Sequence, residues 1–234
     1  MRPSVCAVML TRDRPEMAHQ AVQCFLRQTY PTKRLWVLDT GDESMGYLGD
    51  YDGVHHAWSD LSLQSWSVGR LRNNANERAA RYKPEILIHF DDDDWSHPFR
   101  IAEQVALLES SGADAVGYDD MIFWDGAEAW QYFIRHPGKA LGTSLMYWAK
   151  TWERVPFQPF ASGEDSDWCG RVKVATVSSI VGGVPRMIAR IHAGNARNPA
   201  YSLAERQKNA ALPYPLWQWR RAPEYDRILK ETLP

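Results

Sequence analysis

Short apolar runs, separated by turn-forming residues, dominate the first half of the chain. Ser4 to Leu10 (SVCAVML) is rich in β-formers and predicts a buried strand. Thr11-Arg12-Asp13-Arg14-Pro15 breaks the run, and Pro15 suits the first turn of a helix. In that helix Ala18, Ala21, Val22 and Phe25 recur at helical spacing, and Tyr30-Pro31 stops it. Leu35 to Leu38 is a second buried strand ending at Asp39-Thr40-Gly41-Asp42, and Val54 to Trp58 is a short third. Val68 to Arg81 has helical composition. Glu85 to Phe90 (EILIHF) is the next buried strand and runs straight into Asp91-Asp92-Asp93-Asp94. Pro98 opens a helix with Ile101, Val105 and Leu108 on one face, ended by Gly112. This alternation predicts a parallel sheet with crossover helices. Right-handed crossovers then gather the strand C-termini at one edge, where such sheets bind ligands.

The second half has a different rhythm. Ala115–Tyr118, Met121–Trp124 and Ala129–Ile134 read as shorter strands joined by tight turns such as Asp125-Gly126, and Gly142–Tyr147 as another apolar strand. A short helix is expected over Ala149–Arg154, and a further one opens at Gly163-Glu164-Asp165-Ser166-Asp167-Trp168. Strands over Val174–Ile180 and Arg186–Ile191 lead to His192, and surface helices are expected from Ser202 onward. The pattern predicts one α/β domain over 1–234. Its mostly parallel sheet half covers 1–112, a mixed half covers 113–199, and a helical tail covers 200–234. No repeat, low-complexity tract or linker interrupts it.

Composition narrows the classes. With 234 residues the chain can bury a substantial core, and 44% apolar with 24% charged residues is ordinary for a globular protein. A formal charge of −2 offers no electrostatic reason to expect nucleic acid or an anionic membrane. The 3 cysteines are odd in number and form no CxxC pair, which fits a reducing compartment rather than a disulfide framework or zinc site. No apolar run has the length of a membrane span or a secretory h-region, so a cytoplasmic protein is expected. Most of the 11 Trp residues are expected in the core.

Four consecutive carboxylates repel one another unless a cation or water offsets them. On a surface loop such a run is commonly just solvated, but here it ends a strongly apolar strand at the ligand-binding edge. Oxygen-rich clusters of this kind suit Mg2+ or Mn2+ together with diphosphate oxygens. A prenyl-synthase DDxxD needs an acid at the fifth position, where Trp95 stands, and neither GxxxxGK[ST] nor GxGxxG occurs. A nucleotidyltransferase would carry a Gly-rich basic loop after the first strand, where this chain has TRDRP.

The ordered succession Thr11-x-x-Arg14-Pro15, Gln28-Thr29-Tyr30-Pro31, Asp39, Gly69-x-x-Arg72-Asn73 and DDDDWSHP resembles the family 2 glycosyltransferases. The match continues through Gly142-Thr143-Ser144 and Gly163-Glu164-Asp165-x-Asp167-Trp168 to His192-x-Gly194-Asn195, covering about residues 4 to 195. The resemblance implies a GT-A, Rossmann-like fold and inverting transfer from a nucleotide-sugar, UDP-sugars favoured, to an acceptor hydroxyl, with Mn2+ or Mg2+. On the donor side it implies Thr11, Arg14, Asp39, Arg72, Asp91 and Asp92. Thr11 and Asp39 would serve the nucleoside, Arg72 the base and diphosphate, and Asp91 and Asp92 the ribose and the outer metal shell. Asp93 corresponds to the metal carboxylate, and His192 to a late residue near the diphosphate or metal. Asp165, with Glu164 beside it, corresponds to the general base. Trp124, Trp148, Asp167 and Trp168 fall on the acceptor side, where Trp130 and Trp152 also cluster.

Each residue has a plainer reading. Asp39 suits a turn, Arg72 a solvated helix surface, and Asp165 a helix cap. Asp167 competes for the base role, and a strand-end His192 suits a structural hydrogen bond. The C-terminal Leu216-Trp217-Gln218-Trp219-Arg220-Arg221 mixes aromatic and basic residues suited to an interface, membrane surface or nucleic acid, although the near-neutral charge disfavours a DNA acceptor. Two competing classes stay open beside the transferase: a nucleotidyltransferase on a related sheet, and a silent sugar- or nucleotide-binding module.

Overall fold

A computed structural model describes residues 2–59, 63–192, 203–212 and 217–232. In chain order the regular elements are β1 (Val5–Thr11), α1 (Pro15–Leu26), β2 (Lys33–Asp39), β3 (Val54–Trp58), α2 (Val68–Ala80), β4 (Ile86–His89), β5 (Trp95–Ser96) and α3 (Arg100–Ser111). Then come β6 (Ala115–Tyr118), β7 (Asp120–Trp124), β8 (Ala129–Ile134), β9 (Met146–Trp148), α4 (Ala149–Arg154), α5 (Glu164–Cys169) and β10 (Val174–Val177). The last are β11 (Ile180–Val181), β12 (Val184–Pro185), β13 (Met187–Arg190), α6 (Leu203–Ala210), β14 (Trp217–Arg221) and α7 (Asp226–Thr232).

The larger sheet runs β3-β2-β1-β4-β9-β6-β10. β1 pairs in parallel with β2 and β4, β2 with β3, and β6 with β10, whereas β9 is antiparallel to both neighbours. Both faces are covered, as the unbroken apolar runs require. Val5, Ala7, Met9, Leu35 and Val37 pack with Ala18, Val22 and Phe25 of α1 and Ile101 and Val105 of α3. The alternate residues Cys6, Val8 and Leu38 pack with Ala75 and Ala79 of α2 and with Trp168 of α5. Pro15 takes the first turn of α1, and Gly112 ends α3 in the left-handed conformation (φ 58°). Among the described residues no helix is long and apolar enough to cross a membrane.

The smaller sheet runs β14-β8-β7-β13-β5. Its edge strand β5 is only Trp95–Ser96, so the acidic run is the link between the two sheets: β4 lies in one and β5 in the other. β13 pairs antiparallel with β5, Met187 opposite Ser96 and Ile188 opposite Trp95, and this pairing delivers His192 beside the run.

Two expectations are corrected here. Gly142–Tyr147 is not one strand, because Gly142–Ser144 forms a 3-10 turn and only Met146–Trp148 pairs. Ser144 drives the turn: its hydroxyl donates to Leu141 O (2.7 Å) and accepts from Tyr118 N (2.8 Å), taking backbone groups that a strand would use. The tail is not all helical, since Trp217–Arg221 adds a strand opposite β8, with Trp219 facing Tyr132 and 1% exposed. The Arg206 guanidinium of α6 lies over the rings of Trp130 (5.3 Å) and Trp219 (5.9 Å) and pairs with Asp125, fastening α6 to this sheet. Gly194, Asn195 and Leu216, together with the boundary at 199–200, lie outside the described residues.

Candidate active site

Each of the four aspartates has its own surroundings. Asp91 Oδ1 accepts from Arg72 Nη1 at 3.5 Å. Burial opposes its ionisation, but the Arg72 charge holds its carboxyl below the ordinary value. Asp92 is buried, accepting from Thr11 Oγ1 (2.8 Å) and from Arg14 Nη1 (3.1 Å). Asp93 Oδ2 lies 3.2 Å from the same Arg14 nitrogen and 3.0 Å from His192 Nε2. Asp94 turns the other way and accepts from Thr143 Oγ1. Beneath them Arg100, fully buried, donates to His89 O (2.8 Å), Thr143 O (3.1 Å), Ser96 Oγ (2.9 Å) and Gln104 Oε1 (3.1 Å). Sequence reasoning gave Arg100 no role and named Thr143 only within the Gly142-Thr143-Ser144 motif, without a function.

Arg72 pairs with Asp91 and Arg14 with Asp92 and Asp93, and the carboxylates still crowd one another. Burial, and then the charge of Asp93, push the Asp92 carboxyl up to about 7. The same two causes raise Asp94 well above the ordinary range. A divalent cation would relieve that crowding. Among the described residues no group of three or more His, Cys, Asp or Glu converges as a closed metal cage. Asp93 and His192 nonetheless offer an oxygen and an imidazole nitrogen 3.0 Å apart. Such a two-ligand set fits Mn2+ or Mg2+ when diphosphate oxygens and water complete the shell.

α5 begins after Gly163, which is left-handed (φ 77°), so Glu164 and Asp165 occupy its first turn. Glu164 is buried and accepts from Arg72 Nε at 3.0 Å. Arg72 is therefore no solvated helix residue, because it bridges Glu164 of α5 to Asp91 at the end of β4. Asp165 Oδ1 accepts from Ser166 N (2.7 Å), and its carboxylate lies against Gly142. Burial first and the Glu164 charge second raise its carboxyl above the ordinary value, with Arg72 pulling the other way. A carboxylate that binds a proton more readily than usual is suited to general-base work.

The acceptor-side expectations divide. Trp168 is 0% exposed, its indole donating to Val155 O (2.6 Å), and Trp124 is 4% exposed in the cluster with Ala222, Tyr225 and Leu229. Both are core residues and present no ring face to an acceptor. Trp130 and Trp152 are likewise buried. Trp148 is partly buried against the main core, and Asp167 of α5 pairs with Arg171 just beyond the helix end (2.8 Å).

At the C-terminal edge of the parallel strands, the in-register termini of β1, β2 and β3 set Thr11, Asp39 and Trp58 side by side. Asp39 is fully buried, and its oxygens accept from Gly41 N (2.9 Å), Met45 N (2.9 Å) and His56 Nε2 (3.1 Å), shaping the loop after β2. Thr11 O accepts from Thr40 N at 3.0 Å. Trp58, which sequence reasoning did not single out, is 48% exposed, yet its indole N–H is fixed to Gly41 O (2.9 Å).

No protein-family model and no curated protein sequence matches the chain. Solved structures do. S. aureus TarS superposes with a TM-score of 0.63 at 14% identity, over 80% of this chain and 37% of TarS. The TarS 1-349 fragment in complex with UDP-GlcNAc gives 0.63 at 14% identity over 82% of this chain and 59% of the fragment. The mannosyltransferase PcManGT from Pyrobaculum calidifontis, in complex with GDP-Man and Mn2+, gives 0.62 at 12% identity over 99% of this chain and 69% of that one. This chain thus spans well under two thirds of the length of TarS. At such identities the likeness is one of architecture, and the chain has the GT-A fold of these glycosyltransferases.

Proposed function

We propose that the protein is an inverting family 2 glycosyltransferase, moving a sugar from a nucleoside-diphosphate sugar, UDP-sugars favoured, to an acceptor hydroxyl. The observation that carries this reading is the tie between the acidic run and the base candidate. Arg72 joins Glu164 to Asp91, and the turn at Gly142 and Thr143 touches Asp165 on one side and Asp94 on the other. Carboxylates from the end of β4 and the start of α5 are thereby held around one space. In this reading Asp165 takes the proton from the acceptor hydroxyl as that oxygen bonds to the anomeric carbon. The bond from that carbon to the diphosphate oxygen breaks on the opposite side, leaving the nucleoside diphosphate. Asp93 and His192 would hold Mn2+ or Mg2+, which when bound stabilises the negative charge of the departing diphosphate. Arg14 stands next to that charge, and Thr11, Asp39 and Trp58 form the nucleoside end.

Thermal shift with UDP, GDP and dTDP, each with and without Mn2+, tests the donor half. Metal-dependent stabilisation by a nucleoside diphosphate is expected, and it should be lost in Asp93→Ala. Its absence across the panel in the wild-type protein would overturn the reading. Asp165→Asn should keep nucleotide binding and lose nearly all turnover of a nucleotide-sugar. Unimpaired turnover removes Asp165 from the base role.

A further inference from the structure

We propose that the Gly142–Thr143 turn, held from behind by His89, is a positioning device that sets where the Asp165 carboxylate stands. The inference rests on the base role given to Asp165 above. Gly142 does not have a left-handed backbone, so nothing in its conformation calls for glycine. A Cβ built at Gly142 would lie 2.6 Å from Cγ of Asp165 and nearer still to Oδ2. The missing side chain is thus the space that the carboxylate occupies.

The back of the turn is fixed by a buried chain of hydrogen bonds. Gly142 O can only accept, so the 2.7 Å contact puts the proton on Nδ1 of His89. His89 Nε2 is then an acceptor and takes the Tyr147 hydroxyl proton (3.2 Å), while the Tyr147 oxygen accepts from Asn76 Nδ2 (2.9 Å). Burial first, and the neighbouring Arg72 second, push His89 down to about 3, which keeps it in this neutral, directional form. Arg100 secures the same segment through Thr143 O and His89 O. The turn is braced by β4, α3, β9 and α2, and its open side meets Asp165. Gly142 and His89 are positioning residues: neither touches the reacting atoms.

The test uses the full chain with UDP-GlcNAc or GDP-mannose, whichever the wild-type protein turns over. Gly142→Ala should lower kcat by about 100-fold, the scale of a 1 Å misplacement, with the donor KM and UDP affinity unchanged. His89→Leu should lower kcat at least about tenfold. His89→Asn, whose side-chain amide can still donate to Gly142 O, should recover most of that loss, and urea midpoints for each variant separate positioning from unfolding. If Gly142→Ala does not fold, the His89→Leu and His89→Asn pair carries the test. Wild-type kcat in Gly142→Ala, or equal kcat in the two His89 variants, overturns the proposal. Full turnover in Asp165→Asn would instead overturn the base assignment on which it rests.

Discussion

Replacing Arg72 by Met keeps the apolar stem of the side chain and removes the charge that joins two halves of the site. Arg72 has 11% of its side chain exposed and Glu164 7%, with Nε to Oε1 at 3.0 Å, so water screens this pair little. Asp91 is 24% exposed and 3.5 Å away, and contributes less. The variant leaves the Glu164 carboxylate buried without its partner, and breaking a buried pair this way costs about 3–5 kcal/mol. For a chain of this size that corresponds to a fall of roughly 6–20 °C in Tm. Urea unfolding at neutral pH measures the difference, with an unchanged slope showing that the denatured state is not the cause. Adding Glu164→Gln to Arg72→Met should restore at least about 1 kcal/mol, because the stranded charge is then gone. A loss below about 1 kcal/mol in the single variant, or additive losses in the double variant, would refute the bridge as a structural tie.

Three further outcomes are expected. Glu164→Gln removes the like charge that disfavours ionised Asp165, so the acid limb of the pH profile for turnover should move to lower pH; an unmoved limb, or one moved upward, contradicts the assignment. Trp58→Ala should weaken UDP binding by about 5- to 150-fold, the range for losing one base–aromatic stack, and leave inorganic pyrophosphate unaffected; calorimetry showing equal losses for both ligands would remove Trp58 from the base. Trp219→Ala should lower stability by about 3–5 kcal/mol in urea titrations, since its ring fills the core between Phe123 (5.0 Å) and Tyr132 (4.8 Å); a loss near zero would show that β14 does not seal this sheet.

The acceptor side was the least readable part of the sequence. Trp124 and Trp168 lie in the expected segment and carry a suitable ring, but the structure buries both. An indole suits a core and a sugar platform equally well, and only the packing around it decides between them. Trp58 is the opposite case: its sequence pattern marks only the end of a short strand, and the neighbouring loop holds its ring half-exposed at the C-terminal edge of the sheet. The Gly142 turn was legible as a motif but not as a turn, because the apolar residues after it continue a strand pattern. The tail strand carries a period-2 signal in Trp217, Trp219 and Arg221 and is flanked in sequence by the helix breakers Pro215 and Pro223.

By itself the sequence determined the parallel half. Its strands are unbroken apolar runs and its helices carry one apolar face, and burying both kinds of surface leaves little choice but a covered parallel sheet. That also determined where the four aspartates fall, at the C-terminal end of β4. The tertiary structure alone decided what surrounds them. The pairing of β13 with β5 brings His192 to Asp93 across 99 residues of chain, and the seating of α5 brings Glu164 to Arg72 across 92. A local pattern records each segment's preference for helix or strand. Which carboxylate meets which cation depends on how segments far apart in the chain pack, and that is settled only when the whole core closes.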